Sequence, residues 1–269
     1  MGLTIGSLKL ILEEHKRRPI TGRVLTLGRQ LVHVSYSQAL DLFGIVGTEV
    51  HDHNPVSAPQ STTKPIEPEL FFQMMGLEEM LVLDIPSGWN ADIVADLNFP
   101  VPSEYHNSFG AVIDAGTLEH VFDVRSGFQN VASLAAPGGR ILHVSPMNNY
   151  VNHGFIQLSP TIFFDYYERN AFADLYGKII VHSRKGWGVH DTWSIFPYIR
   201  NTMGGLNSLL AADDNTMLSM FFVATKTERS TVDAVPTQSF FRLTEAEQSM
   251  PTASFSFVYD PSGAKVTRL

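Results

Sequence analysis

The chain has 269 residues, 44% hydrophobic and 17% charged, with a formal net charge of -8 and no cysteine, so it can bury a full core as one large domain but has no disulfide, thiolate nucleophile or Cys-ligated zinc. An acidic balance removes the basic face that a nonspecific grip on nucleic acid needs, and no nucleic-acid partner is expected. No apolar run approaches the roughly 18–20 residues of a membrane span, and Leu8–Leu12, followed by Glu13-Glu14, is too short for a signal peptide, so the expected location is cytoplasmic with no membrane partner.

Ile5 to Arg18 carries Ile5, Leu8, Ile11 and Leu12 at helical spacing, and Pro19 ends it. Residues 1–21 therefore form a leading helix. Gly22 to Gln30 reads as a strand running into a turn at Gly28, and Tyr36 to Phe43 as the helix after it. From about 48 to 68 the chain turns to Pro, Ser, Thr and His, an insertion longer than an ordinary connection. His51-Asp52-His53 lies there, and the spacing alone builds no site, so no metal is assigned. Glu69 to Gly76 reads as a helix closed by its glycine, Met80 to Asp84 as a strand, and Ala91 to Asp96 as another.

Phe109 to Asn149 is the most informative stretch. Gly110 to Ile113 is a short apolar run suited to a strand covered on both faces, and it ends at Asp114-Ala115-Gly116. Phe128, Val131, Ala132 and Ala135 follow at helical spacing, with Asp123 placed to cap the helix and Pro137-Gly138-Gly139 to stop it. Arg140 to Val144 is the next strand. The unit is βαβ, with a parallel sheet and a right-handed crossover. Three strands thus end in Asp84, Asp96 and Asp114, at the edge where open α/β sheets bind ligands.

Later in the chain, Asn148 to Phe155 is a polar and aromatic loop at that same edge. Trp187, Trp193, Phe196 and Tyr198 read as core aromatics in preference to a wall over the site. Met217 to Thr225 is a late buried strand. Residues 228–269 shift to Ser, Thr and Pro, with Ser239–Leu243 and Ser254–Tyr259 as short strands or docking segments. The main domain is therefore 22–227, with a C-terminal extension. The oligomeric state is left open, a homo-oligomer included.

The segments VLTLGRQ (24–30), LVLD (81–84), VADLN (94–98), FGAVIDAGTLEHVFD (109–123), LAAPGGRILHVSP (134–146) and MFFVATK (220–226) resemble the class I S-adenosylmethionine-dependent methyltransferases, in that family's order. The resemblance implies a Rossmann-like, doubly wound α/β fold, a mostly parallel seven-stranded sheet with helices on both faces, and S-adenosyl-L-methionine as cofactor. It further implies that Asp84 meets the ribose hydroxyls and that Asp96 and Leu97 border the adenine. The turn of Leu27, Gly28, Arg29 and Gln30 would face the methionine part, with Asp114, Ala115, Gly116 and His120 near the transferred methyl. The first motif departs from the family, since Thr26 stands in place of its acid and Arg29-Gln30 in place of its later glycines. Arg29 is then a candidate partner for the cofactor carboxylate. From Gly28 to Asp84 the spacing is more than double the roughly 20 residues of the simple dinucleotide fingerprint.

Methyl transfer asks the protein to align an acceptor and exclude water, with a general base optional. His120 and His153 are the candidates for that base. The expected activity is O-methyl transfer to a small-molecule or glycan hydroxyl. The altered first motif supports an alternative, a catalytically silent methyltransferase-like binding or assembly subunit. An NAD reading lacks its G-x-G-x-x-G.

Overall fold

The computed structural model describes residues 2–51, 64–77, 79–85, 90–183, 193–198, 200 and 216–242. In chain order its elements are β1 (Gly2–Leu3), α1 (Ile5–Arg17), β2 (Val24–Leu27), β3 (Leu31–Val32), α2 (Tyr36–Val46), α3 (Pro68–Met74), β4 (Met80–Asp84), β5 (Ile93–Val94), β6 (Phe109–Ala115), α4 (Val124–Leu134), β7 (Ala135–Asn148), α5 (Pro160–Arg169), β8 (Ala173–Ser183), β9 (Trp193–Pro197) and β10 (Thr216–Thr225). Eight strands form the main sheet in the order β5-β4-β2-β6-β7-β10-β8-β9, while β1 and β3 pair separately. The five strands from β5 to β7 are parallel, β10 is antiparallel to both β7 and β8, and β9 is antiparallel to β8.

This is the doubly wound α/β fold that the sequence implies. It has one strand more than the expected seven, because β9 adds an edge beyond β8. Alternation along the central strands divides the core in two. Leu25, Leu27 and Val112 pack with Phe128 of α4 and Phe163 of α5, whereas Val24, Ala111 and Ile113 pack with Leu8 of α1, Phe43 of α2 and Phe71 of α3. Helices therefore cover both faces, and α1 belongs to the same core as the sheet. No helix among the described residues is long and apolar enough to cross a membrane.

Local chemistry sets most boundaries. Thr4 accepts from Ser7 N at the start of α1, and Ser35 and Gln38 close a capping box on α2. Asp123 caps α4 by accepting from Ser126 N at 3.1 Å. Ala135 does not end α4 but begins β7, and Pro137-Gly138-Gly139 lies inside that strand as an irregularity: Phe109 pairs with Ala135 while Ala111 pairs with Arg140. The strand expected over Ala91–Asp96 is only Ile93–Val94, so Asp96 sits in the turn beyond it.

A buried charged group ties α1 to the sheet. Arg140, 2% exposed, donates from Nε to Glu14 Oε1 at 2.7 Å and from Nη2 to the Pro19 carbonyl at 3.0 Å. Tyr176 hydroxyl donates to Glu14 Oε2. Each buried charge thus has partners, without which its desolvation would be costly. The extension from 228 to 242 lies on α5, where Tyr166 hydroxyl donates to Val232 O, Ala234 N to Asn170 Oδ1 and Ser239 N to Asp165 Oδ2. Ser239–Arg242 is a 3-10 turn and not a strand. Ser254–Tyr259 and Trp187 lie outside the described residues, as do residues 52–63 of the insertion with Asp52 and His53.

Candidate functional site

The sheet order reverses between β2 and β6, and this switch point opens a crevice at the strands' carboxyl ends. Register brings those ends level, with Leu27 opposite both Leu83 and Asp114. A cavity of about 430 Å³ lies there, lined by residues of four strand ends: Gly28, Arg29, Gln30 and Leu31 after β2, Leu83, Asp84 and Ile85 at β4, Ala95–Asn98 after β5, and Gly116, Thr117, His120 and Val121 after β6. Its size falls within the roughly 300–1,000 Å³ of small-molecule sites.

The wall after β2 depends on Gly28. Its φ of +70° is one that residues with a Cβ seldom adopt, and the turn is held by Gly28 N donating to Leu83 O at 2.7 Å. A Cβ there would stand 3.9 Å from Asp84 Oδ2, so glycine and carboxylate share one side of the cavity. Asp84 Oδ1 accepts from Ile85 N at 2.8 Å. Two residues beyond Gly28, Gln30 is only 2% exposed and donates from Nε2 to Leu27 O at 2.7 Å, which fixes the amide's orientation. Its Oε1 is buried without a hydrogen-bond partner. Arg29 also lines the cavity, but its guanidinium is paired with Glu67 at 3.3 Å and Glu69 at 3.1 Å. Thr26, where the family's acid is expected, is fully buried in the sheet.

After β5 the turn is built on amides. Asp96 Oδ1 accepts from both Asn98 N and Asn98 Nδ2, an Asx turn. Asn130 reaches up from α4 to donate to Leu97 O and Phe99 O. Leu97, 4% exposed, and Ala95 form an apolar slot beside Val121.

The third strand end behaves differently. Asp114 is fully buried and faces away from the cavity. Its Oδ1 accepts from Thr117 N at 3.0 Å and Leu118 N at 3.3 Å, and its Oδ2 meets His143 Nδ1 at 2.7 Å. An ionised carboxylate only accepts, so Nδ1 carries the proton and Nε2 accepts from Tyr167 hydroxyl at 2.7 Å. The chain Asp114–His143–Tyr167 underpins the turn whose upper side, Gly116 to Val121, lines the cavity. Thr117 hydroxyl ties it to β2 by donating to Leu27 O at 2.7 Å. Ala115 and Leu27 are likewise core residues beneath the site. His143 had a signal in the sequence: a histidine inside the apolar run Ile141-Leu142-His143-Val144 needs a buried partner.

At the mouth, the loop after β7 folds back onto this turn. Phe155 N donates to Glu119 O at 2.7 Å. Gly154 permits the contact: a Cβ there would meet Glu119 O at 2.6 Å, and its φ is +73°. The fold-back sets the His153 ring 5.1 Å from that of His120, and His153 Nε2 3.5 Å from Glu119 Oε1. His120 lines the cavity; His153 does not. Burial lowers the pKa of each imidazole, and for His153 the neighbouring His120 adds to this. Glu119 is fully buried, both carboxyl oxygens lack a hydrogen-bond partner, and burial with the nearby Asp114 pushes its pKa up to about 8. Beside these groups Phe122 and Phe155 are 80% and 67% exposed, and their rings meet edge to face at 5.7 Å. The structure thus brings Gly28, Arg29, Gln30, Asp84, Asp96, Leu97, Gly116 and His120 to one cavity and His153 to its edge. It places Leu27, Asp114 and Ala115 below. Phe196 and Tyr198 do not line the cavity, and Tyr198 packs on Phe164.

No family model and no curated protein matches this sequence. Among solved structures it is similar to a SAM-dependent methyltransferase from Archaeoglobus fulgidus, with 11% identity, 81% of this chain and 94% of that chain covered, and a TM-score of 0.41. It is also similar to the YcgJ protein from Bacillus subtilis (14% identity, 83% and 99% covered, TM-score 0.42). A third is phosphoethanolamine N-methyltransferase 2 from Haemonchus contortus in complex with S-adenosyl-L-methionine (14% identity, 83% and 53% covered, TM-score 0.38). Likeness at this level does not carry an activity over to this chain.

Proposed function

We propose that this chain is an S-adenosylmethionine-dependent methyltransferase acting on a hydroxyl of a small molecule or glycan. The observation that carries the reading is the switch-point cavity, where an acidic strand end, an apolar slot and a buried amide oxygen without a partner surround one volume. These residues fit the cofactor. Asp84 lies where ribose hydroxyls would find an acceptor, and Ala95, Leu97 and Val121 offer an apolar surface to the adenine, with the Asp96–Asn98 turn at its rim. Gln30 Oε1 would accept from the α-ammonium, which supplies from two residues past Gly28 what the altered first motif lost at Thr26. When bound, S-adenosylmethionine supplies an electrophilic methyl group on a sulfonium sulfur.

The protein's own work is then alignment and the exclusion of water. The Gly116–Val121 turn forms the floor, held rigid from below by Asp114 and His143. Phe122 and Phe155 present exposed ring faces beside it, suited to stacking against a sugar or aromatic ring. Neutral imidazoles of His120 and His153 give lone pairs at the end where a hydroxyl must shed its proton.

Incubation with methyl-labelled S-adenosylmethionine and a panel of glycosides, phenols and polyols tests the reading. Label is expected in a hydroxyl acceptor, with turnover reduced at least tenfold in Gln30→Leu. Binding of S-adenosylhomocysteine without turnover on any hydroxyl acceptor would favour the silent binding subunit, for which the pairing of Arg29 with Glu67 and Glu69 speaks.

A further inference from the structure

We propose that Glu119, His120 and His153 form a site for a divalent transition cation at the mouth of the cavity. Its use in holding an oxygen of the acceptor rests on the methyltransferase reading; the binding of the ion does not.

One ligand atom from each of the three side chains lies within 4.8 Å of the others. The pair His153 Nε2 and Glu119 Oε1 is 3.5 Å apart, close to the roughly 3.4 Å that separates two ligands each about 2.1 Å from a tetrahedral ion. Two imidazoles and one carboxylate suit Zn²⁺ or Mn²⁺ better than the all-oxygen ions. Three protein ligands also leave a position open, the arrangement of a site that takes a substrate oxygen.

The strongest independent observation is Glu119 itself. A carboxyl group fully out of water normally has its oxygens hydrogen-bonded, and neither of these is. Protonation answers it only in part, because an O–H on Oε1 would face His153 Nε2 at 3.5 Å while Oε2 would stay without a partner. An ion beside His120 and His153 would partner the carboxylate. The placement is also specified by the backbone. Gly154 lets the loop close on Glu119, and the Tyr150 hydroxyl, hydrogen-bonded to Ser219 at 2.6 Å, pins that loop to β10. His153 is thereby set beside a turn that Asp114 holds from the other side.

An ion here would sit next to His120, the one member of the three that lines the cavity. It would polarise a hydroxyl bound at the methyl end and lower its pKa, in place of proton acceptance by the two imidazoles whose lone pairs it would occupy, and would orient that oxygen toward the cofactor.

The full chain, stripped with a chelator and freed of it by gel filtration, is titrated calorimetrically with ZnCl₂ and with MnCl₂. One ion per chain is expected. Glu119→Gln and His153→Ala should each weaken it at least tenfold, whereas His106→Ala, which removes an exposed imidazole away from the cavity, should leave it unchanged. Melting curves keep the test sound: the ion should raise the Tm of the wild type and not that of Glu119→Gln, which should otherwise melt like the stripped wild type. No uptake of either ion, or equal affinity in Glu119→Gln and His153→Ala, would overturn the site. S-adenosylhomocysteine titrated into the same samples separates the two readings. Ion binding without nucleoside binding would leave the site standing and remove the methyltransferase, and the reverse would remove only the site.

Discussion

Two carboxyl groups five positions apart, Asp114 and Glu119, are both fully buried, and they occupy opposite conditions. Asp114 has two backbone amides and an imidazole around it. Glu119 has no hydrogen-bond partner on either oxygen. A satisfied buried carboxylate is part of the scaffold, since folding itself supplies what its burial requires. An unsatisfied one at the mouth of a cavity leaves a need that a ligand can meet. The turn between them, Gly116 to Leu118, thus has an anchored underside and a reactive end.

The comparison is broken most severely at Asp114. Asp114→Ala would strand the amides of Thr117 and Leu118 and the Nδ1–H of His143, at a cost of about 3 kcal/mol or more. In a domain of this size that corresponds to a fall in Tm of roughly 6–12 °C, which differential scanning calorimetry would read. Tyr167→Phe removes only the far end of the same chain, the hydrogen bond to His143 Nε2, and should cost about 1 kcal/mol in a urea titration.

Glu168 sharpens the contrast from outside, as a carboxylate that is paired yet 45% exposed, held by Arg200 at 2.8 Å and Arg242 at 3.0 Å. The Arg200 pairing, joined by Arg242, lowers its pKa from 4.5 to about 2. Its folded value lies below the unfolded one, so its contribution is present above about pH 4.5 and fades as pH falls toward 2. Solvent screening keeps that contribution to at most about 1 kcal/mol. Acid titrations of stability for wild type and Glu168→Gln should therefore converge only near pH 2 and differ slightly at pH 7. The smallest effect is expected at Glu119, where the Gln variant loses no hydrogen bond and the melting temperature of ion-free protein should stay within about 2 °C.

Much of this was legible in the sequence. Strand ends at Asp84 and Asp114, the cap at Asp123 and the order of the central block follow from apolar runs and turn residues, which are local signals. Partners are not local. Alternation along β6 puts Asp114 on the face of Val112, under α4 and α5, yet nothing in the run says that His143 and Tyr167 wait there. The same limit applies to Gln30, whose importance comes from Leu27 O fixing its amide, and to Glu119, which is placed against His153 by a loop more than thirty residues later. The eighth strand and the irregular start of β7 were hidden for another reason. Pro137-Gly138-Gly139 reads as a helix stop in isolation, while pairing with β6 absorbs it as a bulge.

The cavity as a cofactor site is tested most directly by calorimetric titration of S-adenosylhomocysteine into the wild type and Asp84→Asn. One molecule per chain is expected to bind, at least tenfold more weakly in Asp84→Asn and with no change in Glu119→Gln, which lies at the acceptor end. Absence of binding to the wild type, or an Asp84→Asn affinity equal to it, would rule out this cavity as the cofactor's site.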